Sequence, residues 1–258
     1  MDIIWNIVLL ALLFETLDSA AAMGFGTALA PLLFLMGYSP TEVVPVLLIS
    51  EAITGITDGV FDHAFKNANF TLRPLSPEAK ISFLIGSVGC GGLLFSNFLF
   101  FELPSRIIKL YCYILVIVMG LTGLLKVKVR ERPYRPKLLV GFAALGGFNK
   151  GIGGGGFGPV VTIGQIHAGV YEKVASATTS WAEGFVSLLG SALFITRGYF
   201  NPGLISFYLL PSIFSGAFFA AVLAPYLTRV LPNKVWRIFM PLYAFSLGVV
   251  SLLKFLVL

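Results

Sequence analysis

Eight long apolar runs follow one another along this chain, and they restrict it to one kind of environment. A helix of about 20 apolar residues crosses a bilayer, and most of these runs reach that length. Only 12% of the residues are charged, against about 25% in soluble domains. The sequence therefore predicts an all-α polytopic membrane protein. The runs are 3–36, 40–62, 77–100 and 105–126 in the first half and 138–167, 170–196, 203–228 and 234–257 in the second.

The remaining composition excludes several partners. The net charge of +6 does not indicate nucleic-acid binding, because the basic residues flank the apolar runs. Cys90 and Cys112 lie inside apolar runs and are expected to pack as small hydrophobic side chains. Together with two histidines they do not make a convincing zinc set. We expect no cofactor and no metal site. The N-terminal run lacks the basic residues of a signal peptide, so we treat it as part of the membrane protein.

The chain repeats itself at about half of its length. ELPSRIIKLY (102–111) resembles VLPNKVWRIF (230–239), and GFGTALAPLL falls on GGGGFGPVV, both at an offset of 128. Glu51 and Glu183 correspond at an offset of 132. The matches keep one order along the chain, which chance similarity between apolar helices does not explain. We predict two homologous membrane repeats, 1–128 and 129–258.

Glycines interrupt the opening run of each repeat. The second repeat contains NKGIGGGGFGP (149–159), and the first contains GFG shortly before Pro31. Glycine in a helix costs about 1 kcal/mol relative to alanine, so we expect an unwound segment followed by a half-helix that begins near Pro31 or Pro159. Unwound backbone at membrane depth survives only inside protein or beside a wet cavity. The alternative is that these glycines serve only close helix packing.

Two topologies fit this pattern. If each opening run is a re-entrant hairpin, each repeat has three crossing helices and the repeats are inverted. In that topology 13 Lys and Arg residues lie on the same side of the membrane as the linker 126–137, and four lie on the opposite side. If each opening run crosses once, the repeats are parallel and the split is 11 to 6. Positive charge concentrates on the cytoplasmic side. The count favours inverted repeats in the cytoplasmic membrane, with the linker inside and both short termini outside.

These motifs resemble those of the sulfite exporter (TauE/SafE) family. GIGGGGFGPVV is similar to the GxGGGxxxxP signature of that family, and SATTSW (176–181) resembles the A-x-x-T-S that follows it. The first repeat departs from the pattern, because GFGTALAP keeps two of the glycines and PVLLISEA (45–52) lacks the threonine. The resemblance covers nearly the whole chain. It implies a secondary transporter that exports sulfite or an organosulfonate such as sulfoacetate.

The glycine breaks are the candidate anion site. Glycine N–H groups can surround an anion, and the half-helix after the break points its positive end at the same place. Inverted-repeat transporters use this arrangement at the bilayer midplane. A lysine there costs about 2.5–3.5 kcal/mol, so Lys150 needs an anion or a carboxylate, unless it snorkels to an interface. Trp181 fits core packing equally well. The candidate substrate ligands are Gly24, Gly26, Asn149, Lys150, Gly153, Gly154, Gly155, Gly156, Thr178, Thr179 and Trp181.

Carboxylates follow each break on the next predicted helix. Glu51 and Asp58 share one helical face by their spacing, and Glu183 lies on the corresponding face of the second repeat. Intramembrane carboxylates are functional by default; these could load H⁺ or Na⁺ as a coupling cation, or balance the charge of Lys150. Asp58 also fits a solvated position near the inner boundary, and Asp18 is a further partner for Lys150. The candidate coupling residues are Glu51, Glu183, Asp58 and Asp18.

Two other functions compete with coupled transport. A passive anion channel or permease could use the same path, although paired carboxylates and inverted repeats favour alternating access. An intramembrane protease needs a nucleophile and a histidine that activates it; IFSG (213–216) offers a serine, but neither histidine lies in the middle of a helix. We expect a transporter in the lipid bilayer and no enzyme. The coupling cation and a homodimeric state stay open.

Overall fold

The structure is a computed structural model that describes residues 3–21, 25–124, 135–230 and 233–257. Within these ranges the chain is helical and has no β-strand, which confirms the all-α prediction. The elements are α1 (Trp5–Ala21), a π-helix (Phe25–Leu29), α2 (Ala30–Leu35), α3 (Pro40–Ala64), α4 (Pro77–Glu102), α5 (Ser105–Leu124), α6 (Pro136–Gly153), α7 (Phe157–His167), α8 (Glu172–Phe200), α9 (Leu210–Val230) and α10 (Asn233–Val257).

The outer surface of the bundle is apolar. In the described part of the chain, α3, α4 and α5 are long and apolar enough to cross a membrane by length and composition. Phe95, Phe98 and Phe219 are 64%, 75% and 65% exposed. Soluble proteins rarely carry large exposed apolar patches. The sequence predicts six crossing helices. The helix α8 is long enough to cross but is less apolar than α3, α4 and α5, because it carries serines, threonines and a glutamate.

Prolines and small polar residues determine where several helices begin. Pro40, Pro77 and Pro136 each lie in the first turn, where a missing N–H costs nothing. Ser39 caps α3, and its own N–H donates to the Glu42 carboxylate at 2.8 Å in a capping box. These local signals place the connecting loops at the ends of the bundle.

Two opposite ends of the bundle are defined by contacts between distant segments. At the linker end, the Arg135 N–H donates to the Ala168 carbonyl at 3.0 Å. At the terminal end, the Ile4 N–H donates to the Ser212 hydroxyl at 2.9 Å. The helices α3, α5 and α9 run from the terminal end to the linker end, and α4, α8 and α10 run the other way.

The two halves of the chain pack on each other through equivalent pairs of helices. α3 packs along α8 and α5 along α10, while α1 packs on α9 and α6 packs on α4. Exchanging the two halves reproduces this set of pairs. α3 and α8 approach closely, because Gly55 lies against the backbone of Ser180 and Gly184. The centre of the molecule therefore lies between these two helices and the opening runs.

α6 and α7 form a helical hairpin. α6 has 18 residues and α7 has 11, about 27 Å and 17 Å of helix. α7 folds back along α6, so that Gly164 lies against Phe142 and Gly146 against Val161. The Arg135–Ala168 hydrogen bond closes the open end of the hairpin. The first residue of α6 and the last residue of α7 therefore both lie at the linker end.

The hairpin turns at the glycine run. Gly154 caps α6 and Gly156 precedes α7, with φ angles of 73° and 82°. Glycine adopts this left-handed conformation without strain, whereas a side chain would oppose it. Three residues, 154–156, lie outside both helices. The break falls within the run that the sequence indicates.

The first opening run differs from the second. Residues 25–29 form a π-helix that continues directly into α2, so the unwound segment expected at Gly26 is not found there; Gly24 lies outside the described residues. Pro31 accounts for the widened turn, because it has no N–H to donate and its ring crowds the carbonyl four residues earlier. A π-helical turn is frequent at functional sites.

Candidate functional site

The π-helix and the glycine break contact each other inside the bundle. The backbone of Gly26 lies directly against Gly154 and Gly155, and a Cβ atom at Gly26 or Gly155 would overlap the opposite backbone. The N–H of Gly156 donates to the Thr27 hydroxyl at 2.9 Å. All of these residues are buried. The two runs that the sequence singled out thus meet in space.

The cavity beside this contact is very small. Its volume is about 10 Å³, and Pro31, Cys112 and Leu115 contribute to its wall. A cavity of this size holds at most one water molecule. An anion can therefore reach the glycine break only if the two runs move apart.

Lys150 is fully buried between two carboxylates. Its amine donates to Glu183 Oε1 at 2.5 Å and forms a second ion pair with Glu51. The side chain of Lys150 is 0% exposed, so snorkelling to an interface does not apply. A buried charge requires such pairing. The glutamates that correspond in the two halves thus meet at one lysine, and Glu51 Oε1 also lies beside Gly26.

Asn149 places an amide beside the break. Its Oδ1 accepts a hydrogen bond from the Tyr111 hydroxyl, and its Nδ2 has no partner although the residue is 1% exposed. This Nδ2 lies close to Gly156. A buried donor without an acceptor costs about 1–3 kcal/mol, so this amide is well placed to donate to a ligand oxygen. Tyr111 was not among the sequence candidates.

Asp58 is buried as well. It is 3% exposed, and its Oδ2 accepts from the Ser19 hydroxyl at 2.7 Å. The solvated position considered for Asp58 is therefore wrong. Asp18, next to Ser19 on α1, interacts electrostatically with Asp58 and Glu51. The described ion pairs of Lys150 are made by the two glutamates rather than by Asp18.

Two further buried carboxylates were missed by sequence reasoning. Glu15 on α1 is 3% exposed and Asp62 on α3 is 6% exposed. Asp62 accepts from the Asn67 side-chain amide at 2.8 Å near the linker end. The helical spacing could have found both, because Glu15 lies three residues before Asp18 and Asp62 four residues after Asp58. Buried carboxylates thus continue from Lys150 towards the linker end.

Thr178 and Thr179 lie in a different network. Gln165 of α7 receives a hydrogen bond from the Thr178 hydroxyl at 2.8 Å and donates to the Thr179 hydroxyl at 2.7 Å. Thr162 donates to Thr179 at 3.0 Å. These hydroxyls hold α7 against α8, and the structure does not bring them to the glycine break. Gln165 carried no sequence signal, because its partner lies on another helix.

Trp181 belongs to an aromatic cluster. Its ring centroid lies 4.4 Å from that of Phe70, 5.5 Å from that of Phe83 and 5.3 Å from that of Phe185. It also packs against Gly59. Core packing, the alternative considered for Trp181, therefore describes its contacts.

Comparisons with known proteins identify the family of the chain. Residues 7–251 match the family model described as Sulfite exporter TauE/SafE. The chain is 23% identical over 230 residues to the Probable membrane transporter protein YtnM of Bacillus subtilis (strain 168). The aligned region covers 85% of this chain and 73% of that protein. No solved structure gives a significant match. Because the family match extends over nearly the whole chain, this multi-pass membrane protein belongs to the TauE/SafE family of membrane transporters.

Proposed function

We propose that this protein is a secondary transporter that exports a small sulfur-containing anion, sulfite or an organosulfonate such as sulfoacetate, across the cytoplasmic membrane. The observation that carries the proposal is the contact between the π-helix and the glycine break, beside a buried lysine and an unpaired buried amide. The description of the family as sulfite exporters supports sulfite or a related anion as the cargo. The name of the Bacillus relative, a probable membrane transporter, supports transport.

In this proposal the repeats 1–128 and 129–258 are inverted in the membrane, with the linker end in the cytoplasm. The opposite directions of α3 and α8, and of α5 and α10, support inversion. The return of α7 to the start of α6 supports a re-entrant hairpin. Lys66, Arg73 and Lys80 lie in or beside the loop between α3 and α4 at the linker end, which agrees with the positive-inside rule.

The anion binds where the π-helix and the glycine break now touch. When the halves move apart, the Gly156 N–H loses the Thr27 hydroxyl and becomes free to donate to a ligand. The first N–H groups of α7 lack helical partners and point the same way. Asn149 Nδ2 adds a neutral donor, and Lys150 supplies the positive charge. This set of donors matches the oxygens of a sulfite or sulfonate group.

Coupling follows from the two carboxylates that hold Lys150. With both ionised, Glu51 and Glu183 carry more negative charge than the lysine neutralises, so they repel an incoming anion. A proton or Na⁺ on either glutamate removes this repulsion and frees an N–H of Lys150 for the anion. The cation and the anion therefore cross in the same direction. Outward transport then follows an outward cation gradient, or the inside-negative membrane potential when the carried complex keeps a net negative charge. Asp58 and Asp18 extend the cation path towards the linker end.

The test is solute flux in proteoliposomes loaded with sulfite or sulfoacetate. Wild-type protein should give saturable flux that a pH or Na⁺ gradient drives uphill. Glu51→Gln and Glu183→Gln should keep saturable downhill flux but lose the gradient-driven component, because each removes a titratable cation ligand. Glu102→Gln is the matched control, since this glutamate lies exposed at the end of α4, and it should behave as wild type.

Two results would contradict the proposal. Gradient-driven accumulation that persists in the double variant Glu51→Gln/Glu183→Gln would remove the glutamates from the coupling mechanism. Unsaturable flux that ignores every gradient in the wild-type protein would instead identify a passive anion channel.

A further inference from the structure

A second, much larger cavity opens at the terminal end. Its volume is about 540 Å³. It lies between the last residues of α2, the first turns of α5 and the last turn of α10. No residue considered for the anion site or for coupling lines it.

Three cations line this cavity, and none of its described lining residues carries a carboxylate side chain. The Arg106 guanidinium lies 5.2 Å from the ring centroid of Phe255, and the Lys254 amine donates to a backbone carbonyl at 3.2 Å. The Lys109 amine lies 5.8 Å from the ring centroid of Phe34. Aromatic faces and a carbonyl orient these cations without neutralising them.

The cavity carries positive charge that the described carboxylates do not pair. The ion pairs described for the protein join Lys150 to Glu51 and Glu183, and none is described for Arg106, Lys109 or Lys254. Glu42 acts on Lys109 electrostatically, but its carboxylate accepts hydrogen bonds from the N–H and hydroxyl of Ser39. The cavity therefore presents a net positive field to solutes at the terminal end.

The cavity leads towards the helix breaks along two helices. Lys109 lines it, and Cys112, about one turn further along α5, lines the small central cavity. On the other side, Phe34 lines the outer cavity and Pro31, about one turn before it, lines the inner one. The two cavities are thus neighbours along a single path between α2 and α5.

We propose that this outer cavity is an anion-binding vestibule, in which Arg106, Lys109 and Lys254 hold a small oxyanion on its way between the helix breaks and the terminal end. The inference rests on the proposed function and adds a second subsite to it. A cleft lined by one sign of charge concentrates counter-ions and speeds their encounter. The headgroup of an anionic lipid has the same oxyanion chemistry, and the experiment separates the two sources.

The experiment compares wild type with the triple variant Arg106→Gln/Lys109→Gln/Lys254→Gln in phosphatidylcholine vesicles. The KM for sulfoacetate should rise about tenfold at low ionic strength, with kcat nearly unchanged. Added salt should raise the KM of the wild type and leave that of the variant unchanged, because exposed charges are screened. Loss of the salt dependence is an electrostatic effect that a packing defect would not produce.

Arg197→Gln is the matched control. Arg197 lies at the terminal end with its guanidinium 4.6 Å from the ring centroid of Phe101, as Arg106 lies over Phe255, but it does not line the cavity. Its KM and salt dependence should equal those of wild type. An equal change in this variant would overturn the vestibule, because any charge at that end would then suffice.

The remaining outcomes separate the vestibule from the proposed function. If wild type transports and the triple variant keeps its KM and salt dependence, the vestibule is wrong and the transport proposal stands. A difference that arises only in vesicles containing phosphatidylglycerol assigns the cavity to lipid headgroups and also overturns the vestibule. If wild type gives no flux, saturable sulfoacetate binding that the triple variant loses still supports the vestibule, and absence of such binding overturns it.

Discussion

The two opening runs of the chain occupy equivalent places and differ in chemistry. At an offset of 128, Gly154 falls on Gly26 and Gly155 on Thr27. The second run ends its helix at left-handed glycines, whereas residues 25–29 of the first run form a π-helix. The second run therefore contributes the backbone N–H of Gly156, and the first run contributes the Thr27 hydroxyl that accepts its hydrogen bond.

The helices before the two breaks carry opposite charges. α1 brings Glu15 and Asp18, and α6 brings Asn149 and Lys150. The glutamates that follow the breaks correspond in the two repeats, yet both contact the same lysine. Positions that correspond in the sequence thus carry the two glutamates, while only the second run carries the lysine.

The largest effect should come from removing that cation. Lys150→Met leaves Glu51 and Glu183 buried without their partner, and breaking a buried ion pair costs about 3–5 kcal/mol. We expect a large fall in melting temperature, measured on the purified protein. The variant Lys150→Met/Glu51→Gln/Glu183→Gln should recover most of the loss, because no buried charge of the trio remains. A single variant that melts like wild type would mean that these three charges are not in contact.

A methyl group at the contact between the breaks should have the next largest effect. Gly155→Ala and Gly26→Ala each push a Cβ atom into the opposite backbone, and overpacking costs about 1–3 kcal/mol. Both variants should lose stability and transport together. Gly141→Ala is the control, since nothing lies within 4 Å of its Cβ position. Equal melting temperatures for all three variants would show that the two runs do not touch.

The smallest effect concerns the single hydrogen bond that joins the runs. Thr27→Val removes the acceptor of the Gly156 N–H, which should cost about 1 kcal/mol and lower the melting temperature slightly. Thr122→Val serves as control, because that hydroxyl bonds only to carbonyls of its own helix. If both variants melt alike, the closed contact does not depend on this bond.

The sequence predicted the features that depend on neighbours along the chain. The apolar runs indicated helices, and the glycine run at 153–156 indicated a break, because helix propensity is a local property. At Gly26 the same reasoning was wrong, because residues 25–29 form a π-helix rather than an unwound segment. The motifs GIGGGGFGPVV and SATTSW also led to the family that the comparison confirmed.

Only the tertiary structure decided which polar groups face each other. By sequence alone, Lys150 could have bound an anion or a carboxylate. In the structure Lys150 of α6 forms ion pairs with Glu51 of α3 and Glu183 of α8. Thr178 and Thr179 bind Gln165 rather than line the break. The reason is that a buried charge or hydroxyl must find its partner across helices that are distant in sequence, and the chain order does not encode which helices become neighbours.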